Sequence, residues 1–121
     1  MNLSEDRRKS LRANADLAMR LDVTGHAGFA RVRDICGAGV RCVTERALAP
    51  MTRVELVIAL PDGVRTREIV CGGVVVRSGP ASDGSDRNGA AETAIFFTEI
   101  ADQDRVQVEE FVSTIRRSSE L

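Results

Sequence analysis

The chain has 121 residues and a formal charge of −1 at neutral pH. That length makes one domain, large enough to bury about two-thirds of its unfolded surface without staples. The near-balanced charge excludes the global basic field of a general nucleic-acid binder, and no Trp, no Tyr and four Phe leave few platforms for stacking single-stranded bases. Cys36, Cys42 and Cys71 are odd in number and lack C-x-x-C spacing, which fits reduced thiols in the cytoplasm. No apolar run approaches the ~20 residues of a membrane span, and the acidic start does not read as a signal peptide. The expectation is a cytoplasmic protein that meets neither nucleic acid nor membrane.

Residues 1–13 lack apolar periodicity and read as a flexible N-terminal arm, ahead of a single domain over 14–121. The arm carries four cations in the six residues Arg7-Arg8-Lys9-Ser10-Leu11-Arg12, and Arg8 and Arg12 frame an R-x-x-x-R spacing. Guanidinium forks onto a phosphate or onto the O6/N7 edge of guanine, and it stacks on a purine. A charge run of this kind is, on its own, more often a solvated tail.

From Leu17 the pattern changes. Leu17, Met19, Leu21 and Val23 alternate with polar or small residues, the period of a half-buried strand. Thr24 to Gly28 supplies a turn that places His26, the single histidine, at a loop tip. Phe29 to Asp34 makes a second strand. Asp34-Ile35-Cys36-Gly37-Ala38-Gly39 then breaks it, with two glycines that permit positive φ and close backbone approach. Val40 to Thr44 is a third strand, and Val54 to Leu60 a fourth. Pro61-Asp62-Gly63 turns the chain into a long fifth strand, Arg65 to Arg77, with a bulge or bend expected at Gly72-Gly73. Gly79 to Glu92 is small, polar and aperiodic, a hairpin loop. Thr93 to Ile100 is the sixth strand, with Phe96 and Phe97 on opposite faces. The period then becomes helical, since Val108, Phe111, Val112 and Ile115 form one stripe over residues 103–118. Asp102 and Asp104 at its start and Arg116 and Arg117 at its end complement the helix dipole. Six short antiparallel strands closed by one helix predict an all-β fold, a six-stranded antiparallel β-barrel with a C-terminal α-helix across its mouth.

The combination resembles the PilZ domain, a family of bacterial cyclic di-GMP receptors. That family joins an R-x-x-x-R arm to a D/N-x-S-x-x-G motif between the second and third strands. Arg8 and Arg12 stand at the first motif; Asp34, Cys36 and Gly39 stand at the second, with cysteine where the family usually has serine. Gly72 to Arg77 looks like the family's fifth strand and Ala94 to Phe97 like its last. The resemblance implies a non-catalytic receptor whose ligand, rather than cofactor, is cyclic di-GMP. The ligand-binding residues it implies are Arg7, Arg8, Arg12, Asp34, Cys36 and Gly39. Arginines would neutralise the two phosphates and read or stack on guanine, and Asp34 would accept from the guanine N1–H and N2–H₂ edge. Gly39 would let the ligand lie against the barrel, and the side chain at 36 would point at it. The downstream partner would be an unidentified effector protein or a second copy, with motility, pili, polysaccharide or a related output.

Other classes fit less well. A thiol is a weaker hydrogen-bonding group than a hydroxyl, so Cys36 also admits a degenerate domain that works by protein contact alone. As an enzyme the chain would offer Cys36 only His26 as a base, and no His or Cys pair has metal-ligand spacing. An oligonucleotide-binding barrel would interleave exposed aromatics with basic residues, and this chain does not.

Overall fold

The structure is a computed structural model, described over residues 12–80 and 89–119. Strands β1 (Ala13–Val23), β2 (His26–Cys36), β3 (Gly39–Thr44), β4 (Arg53–Asp62), β5 (Arg65–Pro80) and β6 (Ala91–Glu99) precede helix α1 (Asp102–Ser119). All pairings are antiparallel and the order β1-β2-β3-β6-β5-β4 closes on itself. The ring is sealed by a short β1–β4 pairing in which Met19 faces Ile58 and Leu21 faces Leu56. Closure removes most of the sheet edge that another chain could extend.

Alternation builds the core. Leu17, Met19 and Leu21 of β1 point inward, as do Leu56, Ile58 and Leu60 of β4, and Ile95 and Phe97 of β6. Each such side chain contributes roughly 1.5–3 kcal/mol of burial. Phe96 and Phe97 do part to opposite faces, 51% and 3% exposed. The stripe expected on the helix is the one that packs: Val108 and Val112 are buried, with Phe111 and Ile115 against the same core. Helix α1 lies on β1, β2 and β4, and its Asp104 meets Arg67 of β5 at 3.5 Å. At the barrel's interior the buried hydroxyls of Thr44 and Thr93 satisfy each other at 2.9 Å, and Ser78 Oγ joins Thr93 at 2.7 Å.

The strands run further than periodicity implied, and the turns are correspondingly tighter. β1 starts at Ala13 rather than Leu17, inside the last residue of the expected arm. His26 opens β2 instead of sitting in a five-residue turn, because Thr24-Gly25 alone reverses the chain with φ of 50° and 83°. Both central residues at positive φ make a type I′ turn, whose twist matches the flanking strands. Pro61 lies within β4, and Gly63 at φ 63° leads the next hairpin. The expected irregularity in β5 is present, a register shift between Gly72 and Gly73, with a second one between Val75 and Arg77. Most of the expected loop between β5 and β6, and residues 1–11 with Arg7 and Arg8, lie outside the described residues.

Candidate functional site

Two strand irregularities at one level of the barrel create the site. β1 pairs Ala13 with Ile35 and Asn14 with Asp34, then shifts so that Leu17 faces Val32. On the other side of β2, Val32 faces Cys42 but Asp34 faces Arg41, so that Arg33 is an extra residue. One inserted residue reverses the inward–outward alternation of a strand. Val32 and Ile35 therefore both enter the core, and Asp34 turns to the outer face beside Arg41.

Asp34 is nevertheless only 6% exposed, because two arginines cover it. Arg12 donates from Nη1 to Asp34 Oδ1 at 2.6 Å. From the opposite side Arg41 brings Nε to 2.8 Å from Asp34 Oδ2. That contact is an ion pair without an aligned hydrogen bond, since Arg41 Nε is buried with no acceptor along its N–H. Arg41 also reaches Glu92 Oε1 on β6 at 3.2 Å. The half-exposed arginines would gain little from a solvated pair, but a carboxylate this enclosed needs both of them for compensation. Beside this chain of charges lies an open concavity of about 740 Å³, lined by Asn14, Ala15, Asp16, Arg31, Arg33, Arg41 and Glu92. One of its walls is pinned by Arg31, which holds Asp16 through Nη2 at 2.7 Å.

The remaining residues of the second motif are structural as well as near the site. Gly37-Ala38 is a two-residue turn, with Cys36 paired to Gly39 across it. Neither Gly37 nor Gly39 has positive φ, so the expectation of left-handed glycines here is not met. Close approach to backbone is what Gly39 requires, whereas Gly37 faces only a side chain. A Cβ on Gly39 would lie 3.2 Å from the Ile95 carbonyl carbon and Phe96 Cα, and closer still to the Ile95 oxygen. Gly39 thus makes room for β6, in addition to any room it leaves for a ligand. A Cβ on Gly37 would come within 2.8 Å of Glu109 Oε2 on α1. Cys36 is 1% exposed, and its Sγ accepts from the Ala38 N–H at 3.4 Å. Its thiol is therefore engaged by the turn and shielded from solvent, not presented outward. The helix touches the first motif too, where Arg116 Nη1 donates to the Arg12 carbonyl oxygen at 2.9 Å.

Of the six residues expected at the site, the structure brings Arg12 and Asp34 into direct contact and sets Cys36 and Gly39 two pairs further along the β2–β3 hairpin. Arg7 and Arg8 are outside the described residues. Sequence reasoning passed over Arg41, Glu92, Glu109 and Arg116. For Arg41 a signal existed: with a two-residue turn at 37–38, counting back from Cys36 and Gly39 puts Asp34 opposite Arg41. Away from the site, burial pushes the Cys42 thiol up to about 12. Burial, with the Asp104 charge second, does the same for Cys71. Among the described residues no cluster of His, Cys, Asp or Glu could hold a metal ion, and no helix is long and apolar enough to cross a membrane.

The family model of the PilZ domain matches residues 6–114, from before the arm arginines to well inside α1. The chain belongs to the PilZ domain family. Its barrel is similar to that of the Bacillus subtilis inhibitor of motility MotI/DgrA, with a TM-score of 0.79 and 22% identity over 94% of this chain and 52% of that one. The PilZ domain of Escherichia coli YcgR, solved with c-di-GMP, gives a TM-score of 0.70 at 12% identity, covering 93% of this chain and 94% of that one. The Klebsiella MrkH–c-di-GMP complex gives 0.71 at 16% identity, covering 94% of this chain and 54% of that one. At these identities the likeness carries the PilZ fold. The chain spans about half the length of MotI/DgrA and of MrkH. No curated protein sequence matches it.

Proposed function

We propose that this PilZ domain is a non-catalytic cytoplasmic receptor for cyclic di-GMP that converts binding into altered contacts with an effector protein or with a second copy. The observation that carries the reading is the Arg12–Asp34 contact, which joins the two motifs across 22 positions of sequence at the lip of an arginine-lined concavity. A dianionic ligand with two guanines suits that chemistry. Arginines neutralise phosphate and fork onto guanine O6/N7, while a carboxylate matches the opposite, donor edge. Family membership supports it, as does the cyclic di-GMP held by the YcgR and MrkH structures. Arg7, Arg8, Arg12, Asp34, Cys36 and Gly39 are the residues proposed to form the site.

A second reading is a domain that no longer binds nucleotide and acts through protein contacts. The shielded thiol at 36, where the family's motif has serine, favours it. Isothermal titration of the purified protein with cyclic di-GMP decides between them. The receptor reading expects a saturable isotherm that Arg8→Ala, Arg12→Ala or Asp34→Ala each weakens by about 2–4 kcal/mol, since a charge-assisted contact is lost and its partner stranded. Arg65→Ala, at the start of β5 and exposed, should leave it unchanged. A folded wild-type protein that shows no heat of binding establishes the second reading.

A further inference from the structure

The buried Nε of Arg41 is the one oddity of the site. A buried donor aimed at no acceptor is uncommon enough in folded proteins to need a cause. Here the nearest acceptor, Asp34 Oδ2, is 2.8 Å away but lies off the direction of the Nε–H. The same carboxylate is held from its other side by Arg12, bonded to Oδ1 at 2.6 Å. The two arginines therefore compete over the orientation of one carboxylate. They are not held alike. Arg41 has a second anchor in Glu92 on the neighbouring strand β6, whereas Arg12 sits at the very entry of β1 with its backbone carbonyl bonded to an exposed arginine of α1.

We propose that Arg41 is a positioning residue for guanine recognition, acting through Asp34, and that Arg12 is the exchangeable partner. The inference rests on the cyclic di-GMP reading of the site. When Arg12 leaves Asp34 for the ligand, Oδ1 is freed and the carboxylate turns, so that Arg41 Nε gains its hydrogen bond on Oδ2. A carboxylate oxygen accepts more than one donor, so Oδ2 keeps room for a guanine N–H beside Arg41. The N1–H and N2–H₂ pair of guanine then meets both oxygens of a carboxylate whose charge stays compensated. Glu92 contributes by holding Arg41 in place.

The test separates positioning from simple charge. Wild type, Arg41→Gln, Arg41→Lys and Glu92→Gln are titrated with cyclic di-GMP and with its hypoxanthine analogue cyclic di-IMP, which lacks the N2 amino group. Wild type should prefer cyclic di-GMP by about tenfold or more, as sites built to bond a polar group reject the analogue without it. Arg41→Gln should lower cyclic di-GMP affinity by about tenfold and bring the preference down to about twofold, because a misaligned Asp34 no longer reads N2. Arg41→Lys keeps the charge without the rigid fork and should lose most of the preference too; Glu92→Gln should lose part of it. Equal weakening of both ligands, with a salt dependence shallower by about one ion, would make Arg41 a phosphate contact and overturn the proposal. Unchanged affinity and preference in folded Arg41→Gln overturns it as well. Where Arg41→Gln does not fold, the preference of Arg41→Lys decides, a wild-type ratio refuting it. If wild type binds neither ligand, the receptor reading itself fails and this inference falls with it, an outcome distinct from intact binding that ignores position 41.

Discussion

Gly39→Ala distinguishes a glycine kept for the barrel from one kept for a ligand. The substituted methyl would sit 3.2 Å from the Ile95 carbonyl carbon and Phe96 Cα, and inside contact distance of the Ile95 oxygen. These are backbone atoms of β6, so no side chain can rotate away. Relief requires β3 and β6 to part locally, and the hydrogen bond from Phe97 N–H to the Ala38 carbonyl, 2.8 Å, lies at that point. Overpacking of this kind costs about 1–3 kcal/mol, and a weakened backbone hydrogen bond adds about 0.5–1.5 kcal/mol, which together suggest about 2–4 kcal/mol. For a domain of this size that lowers Tm by about 6–16 °C. Thermal and urea unfolding, followed by far-UV circular dichroism without any ligand, measure it. Gly79→Ala is the control, since a methyl there meets nothing within 4 Å, and it should stay within about 0.5 kcal/mol of wild type. A Gly39→Ala protein as stable as the control refutes the reasoning and returns Gly39 to a purely ligand-facing role.

Three further expectations follow from single residues. Cys36→Ser should cost about 1–2 kcal/mol of stability and leave cyclic di-GMP affinity within about twofold of wild type, because the side chain at 36 is 1% exposed and turned to the Ala38 amide, where a hydroxyl can accept but has no ligand to donate to; a serine variant that is as stable as wild type and binds about threefold to tenfold tighter restores position 36 to the ligand contact. Thr24→Asn should raise stability by about 0.5–1 kcal/mol in chemical denaturation, since Asn-Gly suits the I′ turn where a β-branched residue at φ 50° does not; a loss would mean that the Thr24 hydroxyl bond to the Val23 carbonyl matters more. The contribution of Cys42 and Cys71 to stability should be level below pH 9 and fall between pH 9 and about 12: the folded thiols keep protons that unfolded ones release from about 9, so the unfolded state gains as pH rises. Cys42 alone accounts for about 1 kcal/mol per pH unit, and Cys42→Ala should flatten the denaturation-midpoint profile by that much. The window is unusually clean, because the chain has no Tyr and its single lysine is Lys9.

The strands were legible because inward and outward residues differ in kind. Leu17, Met19 and Leu21 alternate with Ala18, Arg20 and Asp22, and the core uses that alternation without change. The helix was legible for the same reason at a different period. Strand ends were not, since exposed ends such as His26 to Gly28 and Arg53 carry no apolar signal, yet backbone pairing extends through them. Turn length decided how much was missed. A five-residue turn at Thr24–Gly28 and a broken strand at Asp34–Gly39 both hid two-residue hairpins, whose φ angles and partners follow from pairing rather than from composition.

The site was legible in its residues but not in its geometry, and the reason is local. Alternation alone would put Asp34 on the same face as Ala30 and Val32, inside the barrel, where an ionised carboxylate is not tolerated. A burial pattern cannot report that Arg33 is an inserted residue, because both Arg33 and Asp34 are polar and either could face out. The bulge resolves the conflict by sending both to the outer face, and it does so opposite a second irregularity at Asn14 to Leu17. The concavity exists because these two irregularities coincide, which no single strand's pattern encodes. Arg41 is reached from the other direction. Counting from the 37–38 turn sets it opposite Asp34, but until the turn length is known an exposed arginine two residues past Gly39 carries no more meaning than Arg31 or Arg20.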